Sequence, residues 1–203
     1  MDLTSDNIRR LLHELDQWLA FDDCLPVDWV VCGGAALGLQ GLLDRPTQDI
    51  DVLGNWDKGI LDITDIELIG PDVNACIARV ADAHPELAGL GRNWVNCGPR
   101  HLAKEGLPEG FADRICKLSV GAKLTLHLLG RKDLLALKLY AAADDHGPRQ
   151  AVHYADLASM APTFDELDFA VDWILTRSDF EVKRIAVKDV LRRLDHEDLA
   201  YYV

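Results

Sequence analysis

The chain is short of positive charge. Across its 203 residues, 21 lysines and arginines face 34 aspartates and glutamates, a formal net charge of −13. Seven protonated histidines would still leave it acidic. A broadly basic nucleic-acid surface is therefore excluded, because phosphate binding draws on clustered lysine and arginine. A local basic groove is not excluded. Long apolar runs are missing as well. The longest uncharged stretch, Trp29 to Leu43, is too short to cross a bilayer and contains Gln40 and four glycines. The first residues, Met1 to Asp6, show no basic region leading into an apolar core, so no signal peptide and no membrane partner are expected. The five cysteines (Cys24, Cys32, Cys76, Cys97 and Cys116) are scattered and form no C-x-x-C pair. That leaves a zinc ribbon or thioredoxin-type motif unsupported and points to reduced thiols in a cytoplasmic protein. Internal repeats and low-complexity tracts are also lacking.

What is present is an ordinary globular composition, with 49% hydrophobic and 27% charged residues. Apolar residues Ile8, Leu11, Leu12, Leu15, Trp18 and Leu19 recur at helical spacing, with Thr4 or Ser5 as cap. Asp28 to Cys32 reads as a short buried strand, broken by Gly33-Gly34, after which Ala35 to Leu39 begins a helix. Arg45-Pro46-Thr47 forces a turn. Asp49 to Leu53 alternates as a strand that Gly54-Asn55 should stop. Ile60 to Ile69 is open between strand and helix, Asp72 to Ala83 reads as a helix, Asn93 to Asn96 as a short strand, and Pro99 to Phe111 as loop. Lys123 to Leu129 reads as a strand and Arg131 to Ala143 as a helix. Gln150 to Met160 is helical, Thr163-Phe164-Asp165-Glu166 is a capping box, and Asp179 to Leu194 closes the pattern with Ile185, Val187, Val190, Leu191 and Leu194 as its apolar set. The fold class is thus mixed α/β: a short mixed sheet flanked by helices over residues 1–130, then a helical region over 131–203 that closes a cleft.

One constellation carries chemistry. Gly33-Gly34 follows a strand, and Arg45-Pro46-Thr47-Gln48-Asp49-Ile50-Asp51 comes next. Paired glycines let the backbone turn sharply and approach a phosphate, and the following helix offers free amides. Asp49 and Asp51 are two apart on a strand, so their carboxylates share one face while Ile50 and Val52 point into the core. Two such carboxylates repel unless a cation lies between them. Oxygen ligands of this kind suit Mg²⁺ (or Mn²⁺) together with substrate phosphates. No G-x-G-x-x-G surrounds these glycines and no Gly-Lys-Ser/Thr follows them, so neither a dinucleotide fingerprint nor a P-loop explains the set.

This pattern resembles the nucleotidyltransferase superfamily of the DNA polymerase beta type. Within it, the likeness is to bacterial AbiEii-like toxin nucleotidyltransferases and their uncharacterised relatives. The stretch Leu134 to Ala141 is similar to the family's later lysine helix, and His153-Tyr154-Ala155-Asp156-Leu157 to its Asp-Leu segment. The resemblance implies that Gly33 and Gly34 hold the triphosphate, that Asp49 and Asp51 bind Mg²⁺, and that Arg45 and Thr47 position nucleotide. It further implies that Lys138 contacts the triphosphate and that Asp156 is an active-site carboxylate. Taken alone, Lys138 reads as a snorkelling surface lysine and Asp156 as an exposed helix residue. Trp94 reads as core, Asp144-Asp145-His146 as a solvated loop, and Arg92, Arg100 and Arg114 as unranked candidates for phosphates.

The expected activity is transfer of a nucleoside monophosphate from a nucleoside triphosphate to an RNA such as transfer RNA, a protein or a small molecule, with a cognate antitoxin as possible partner. There is one departure from the family pattern. Strand 123–129 has no acid where many relatives carry a third carboxylate, only Thr125 and His127. His127 would serve as base only if it pointed toward the Asp pair. The alternative is a catalytically inactive interaction or antitoxin-like regulatory protein on the same fold.

Overall fold

The computed structural model describes residues 3–63, 70–87, 89–144 and 149–203. Two compact units form. One comprises the chain up to Lys104 together with Ala112–Leu129, and the other Glu105–Phe111 together with Gly130–Val203.

The first unit is built on a six-stranded mixed sheet. Helix α1 (Ser5–Phe21) is capped by the Thr4 side chain, which accepts from the Asn7 amide at 3.3 Å. It buries Ile8, Leu11, Leu12, Leu15 and Leu19 along one stripe, as the spacing predicts. Strand β1 (Val27–Cys32) runs straight into helix α2 (Gly33–Leu39), so the glycines end the strand and open the helix at once. Strand β2 (Ile50–Asp57) pairs antiparallel with β1. Strand β3 (Ile60–Asp62) pairs antiparallel with β2. Helix α3 (Pro71–Ala83) buries Cys76, Ile77 and Val80. Strand β4 (Val95–Asn96) joins β2 in parallel, and a short helix α4 (Arg100–Lys104) interrupts what the glycines and prolines suggested was loop. Strand β5 (Cys116–Ser119) pairs antiparallel with β6 (Leu124–Leu128), which lies parallel to β1. The spatial order is β3-β2-β1-β6-β5 with β4 on β2.

Two differences from expectation have physical reasons. Strand β2 continues through Gly54-Asn55, because a Cβ at Gly54 would strike the Asp62 carbonyl and Leu61 of β3. The glycine there permits close strand approach rather than a stop. The β1–β2 register also slips at a bulge: Val30 faces Gly54 but Val31 faces Val52. The bulge sets Asp51 opposite Cys32, the last residue before Gly33. For the open segment Ile60 to Ile69, the start is strand, and 64–69 lie outside the described residues.

The second unit is helical. Helix α5 (Arg131–Ala142) is buried on nearly every side and packs with α6 (Arg149–Ser159), α7 (Phe164–Leu175) and α8 (Phe180–Arg193). The capping box is made in full: Thr163 Oγ1 accepts from the Glu166 amide at 3.3 Å, and Glu166 Oε2 accepts from the Thr163 amide at 3.0 Å. Ile185 does not join the core as its spacing suggested. It is 75% exposed, and Phe180 and Lys183 take buried positions instead. A last helix, α9 (Glu197–Tyr202), was not evident in the pattern. Of the Asp144-Asp145-His146 cluster, residues 145 and 146 lie outside the described residues, and Asp144 pairs with Lys183 at 3.0 Å. Among the described residues, no helix is long and apolar enough to cross a membrane.

Candidate functional site

The glycine turn and the aspartate strand meet. Gly33 has φ of +70°, a left-handed conformation that favours glycine, and a Cβ there would fall on the Asp51 carboxylate. A Cβ on Gly34 would stand 2.6 Å from Thr47 Oγ1 and 3.5 Å from an Arg45 guanidinium nitrogen. Both glycines are therefore sites of close backbone approach to the residues that the sequence singled out. Thr47 is buried and fixed. Its amide donates to the Leu3 carbonyl at 2.9 Å, its carbonyl accepts from the Leu3 amide, and its hydroxyl reaches the Asp49 carbonyl at 3.5 Å. Arg45 donates to the Pro46 carbonyl at 2.7 Å, which folds its side chain back over the turn.

Asp49 and Asp51 are half-buried, whereas Ile50 and Val52 are fully buried. The alternation read from the sequence holds at these four positions. Asp49 Oδ2 accepts from Asn96 Nδ2 at 3.0 Å, and Asn96 Oδ1 accepts from the Gly98 amide at 2.8 Å. Asn96 also stands beside Asp51 in the parallel β2–β4 register. The Cys97 thiol is pushed up by burial and by the negative charge of Asp51, and drawn down by the Arg100 guanidinium. Of the three unranked arginines, Arg100 is thus the one whose field, with that of Asp51, reaches Cys97.

Lys138 and Asp156 belong to the second unit and are bound to each other. Lys138 Nζ donates to Asp156 Oδ2 at 2.6 Å, with side chains 7% and 0% exposed. The plain surface readings of both residues are corrected. Helix α5 is buried without a break from Asp133 to Leu139, so Lys138 is enclosed and needs a carboxylate partner. Trp94 is core, its indole N–H donating to the Ile77 carbonyl at 3.1 Å. His127 is turned away from the aspartates. Its Nε2 lies 2.8 Å from Asp28 Oδ1, and its ring stacks on Trp56 at 5.3 Å. Asp28 is near the start of β1, while Asp51 faces its end, so His127 is not placed as a base for the pair. Asn96 is the site residue that sequence reasoning missed. Its type and position in a two-residue strand carry no signal without the fold.

Among the described residues, no group of three or more His, Cys, Asp and Glu is arranged to hold a metal. The donors that are present suit a hard cation. Asp49 and Asp51 offer oxygen only, and such pairs bind divalent ions whose remaining ligands are water and phosphate oxygens.

The model of a family described as "Nucleotidyltransferase of unknown function" (DUF6036) matches residues 6–148. No curated protein and no solved structure matches the chain. The match spans well over half the sequence, and the chain belongs to that nucleotidyltransferase family.

Proposed function

We propose that this nucleotidyltransferase moves a nucleoside monophosphate from a nucleoside triphosphate to a hydroxyl-bearing acceptor, with Mg²⁺ or Mn²⁺ held by Asp49 and Asp51. The observation that carries the proposal is the contact of the Gly33-Gly34 turn with Asp51, Thr47 and Arg45, where no side chain fits. A backbone stripped of Cβ beside a carboxylate pair is what a triphosphate bound with its cation requires. The bound cation would neutralise phosphate charge as it develops. The chain's own groups do the positioning. The Gly33-Gly34 backbone lets the phosphates come close, Thr47 keeps the turn against Asp49, and Arg45 adds positive charge next to Gly34. Arg100 opens α4, which packs against β2, and is a further candidate for phosphate contact.

In the reaction, the acceptor oxygen forms a bond to the α-phosphorus and the bond to the bridging oxygen of the β-phosphate breaks. Pyrophosphate leaves, and the hydroxyl proton passes to solvent. Lys138, paired with Asp156, is assigned to the triphosphate in keeping with the family likeness. The likeness to AbiEii-like toxins extends the proposal to a cognate antitoxin protein as partner. The acceptor is read as a protein, a small molecule or a compact RNA end, since 34 acids disfavour a broad RNA surface.

Calorimetry tests the binding step. The wild type should bind at least one nucleoside triphosphate in a Mg²⁺-dependent manner, and Asp49→Ala/Asp51→Ala should not. Equal binding by both proteins, or none by the wild type with any triphosphate, would favour the non-catalytic interaction reading.

A further inference from the structure

Asn96 has no charge and no place in the motif, yet it holds one of the two carboxylates. Asp49 lies just before β2 and outside its ladder, so strand pairing does not fix its side chain. Asn96 is fixed on both sides. Its strand β4 pairs Ile50 with Val95 and Asp51 with Asn96, and is anchored by buried Val95 and Trp94. Its amide orientation is set as well. Gly98 N–H is a donor, so the 2.8 Å contact must go to the Asn96 carbonyl oxygen, and the amino group is left to face Asp49.

We infer that Asn96 is a positioning residue for cation loading: its hydrogen bond to Oδ2 helps hold the Asp49 carboxylate in the arrangement that shares a divalent ion with Asp51. This rests on the reading of the Asp pair given above. A neutral donor suits the task. It holds Asp49 Oδ2 without bringing a charge of its own to the carboxylate. A lysine or arginine there would compete with the cation, and a third carboxylate would repel the other two until an ion arrived. Partners that orient a metal-binding carboxylate typically change metal affinity by on the order of 10-fold or more when removed.

The test uses the full chain and Mn²⁺ as probe. Free Mn²⁺ is followed by electron paramagnetic resonance, with and without a non-hydrolysable triphosphate, for wild type, Asn96→Ala, Gly98→Ala and Asp49→Ala/Asp51→Ala. Asn96→Ala should weaken Mn²⁺ binding by on the order of 10-fold. Its transfer activity should return as Mn²⁺ is raised, with the KM for triphosphate unchanged at saturating metal. A general structural defect would not be rescued in that way. Gly98→Ala keeps Asn96 but brings a Cβ to 3.0 Å from its carbonyl oxygen, so it should shift Mn²⁺ binding in the same direction by less. If both variants bind Mn²⁺ as the wild type does, or if added metal rescues neither, Asn96 has no such role. If the wild type itself binds no Mn²⁺, the Asp pair assignment fails first, and that outcome is distinct.

Discussion

Gly33 and Gly41 share nearly the same left-handed backbone, with φ of +70° and +68°, but not the same surroundings. An added Cβ at Gly33 meets the Asp51 carboxylate, whereas at Gly41 it meets nothing within 4 Å. Alanine at either position should cost about 1–2 kcal/mol for the backbone conformation. Only Gly33→Ala should also displace Asp51 and abolish Mg²⁺-dependent triphosphate binding. Equal losses of binding in the two variants would show that the turn is needed only for folding. Asp16 makes a second residue-scale case. Its carboxylate accepts from the amides of Ala122, Lys123 and Leu124 at 3.2, 2.8 and 2.8 Å, and so holds the β5–β6 turn to α1. Asp16→Ala should lower stability by about 2–4 kcal/mol in urea unfolding, because these donors lose a charged acceptor. The two cases differ in legibility. The glycines and aspartates were readable because they fall within one short span of sequence. Asp16 was not, since its partners lie more than 100 residues away and it looks like any polar position on a helix.

At the scale of elements, hydrophobic period located the long pieces: α1, β1, α3, β6, α5, α6 and α8 stand where the pattern put them, within a residue or two, and the capping box marked the start of α7. What it missed was short or held by neighbours. Strand β5 has mostly exposed residues and exists through its pairing with β6, which no local alternation reveals. Strand β2 outran its apparent stop because Gly54 serves the approach of β3. The capping box at α7 was legible as a four-residue motif and carries a pH consequence. Glu166 is held below the ordinary carboxylate value of 4.5, first by the hydrogen bond from Arg131 and also by the Thr163 amide. A depressed carboxylate contributes stability that is present above 4.5 and lost as pH falls below it. Circular dichroism melts between pH 6 and pH 3 should therefore show a steeper acid loss for wild type than for Glu166→Gln. Identical slopes would remove Glu166 from the acid response. The Lys138–Asp156 pair shows the converse limit. The family likeness singled out its residues, but their enclosure depends on α6, α7 and α8 packing on α5, which sequence period alone does not state.

For the whole molecule, the excess of acid over base now has a local meaning. Asp49 and Asp51 are acids with a proposed ligand, and most of the other acids are solvated and repel polyanions. An acceptor gripped only near the site should bind with weak salt dependence. A steep fall in affinity between 50 and 200 mM salt, as for a broad phosphate contact surface, would place the basic residues differently. Transfer at the α-phosphate by the glycine–aspartate site is the central proposal. Labelled triphosphates incubated with Mg²⁺, a cell extract and either wild type or Asp49→Ala/Asp51→Ala test this most directly. Label from the α-phosphate should enter an acceptor with the wild type alone, while label from the γ-phosphate stays out. Transfer of the γ-label, or equal α-labelling by the double variant, would contradict it.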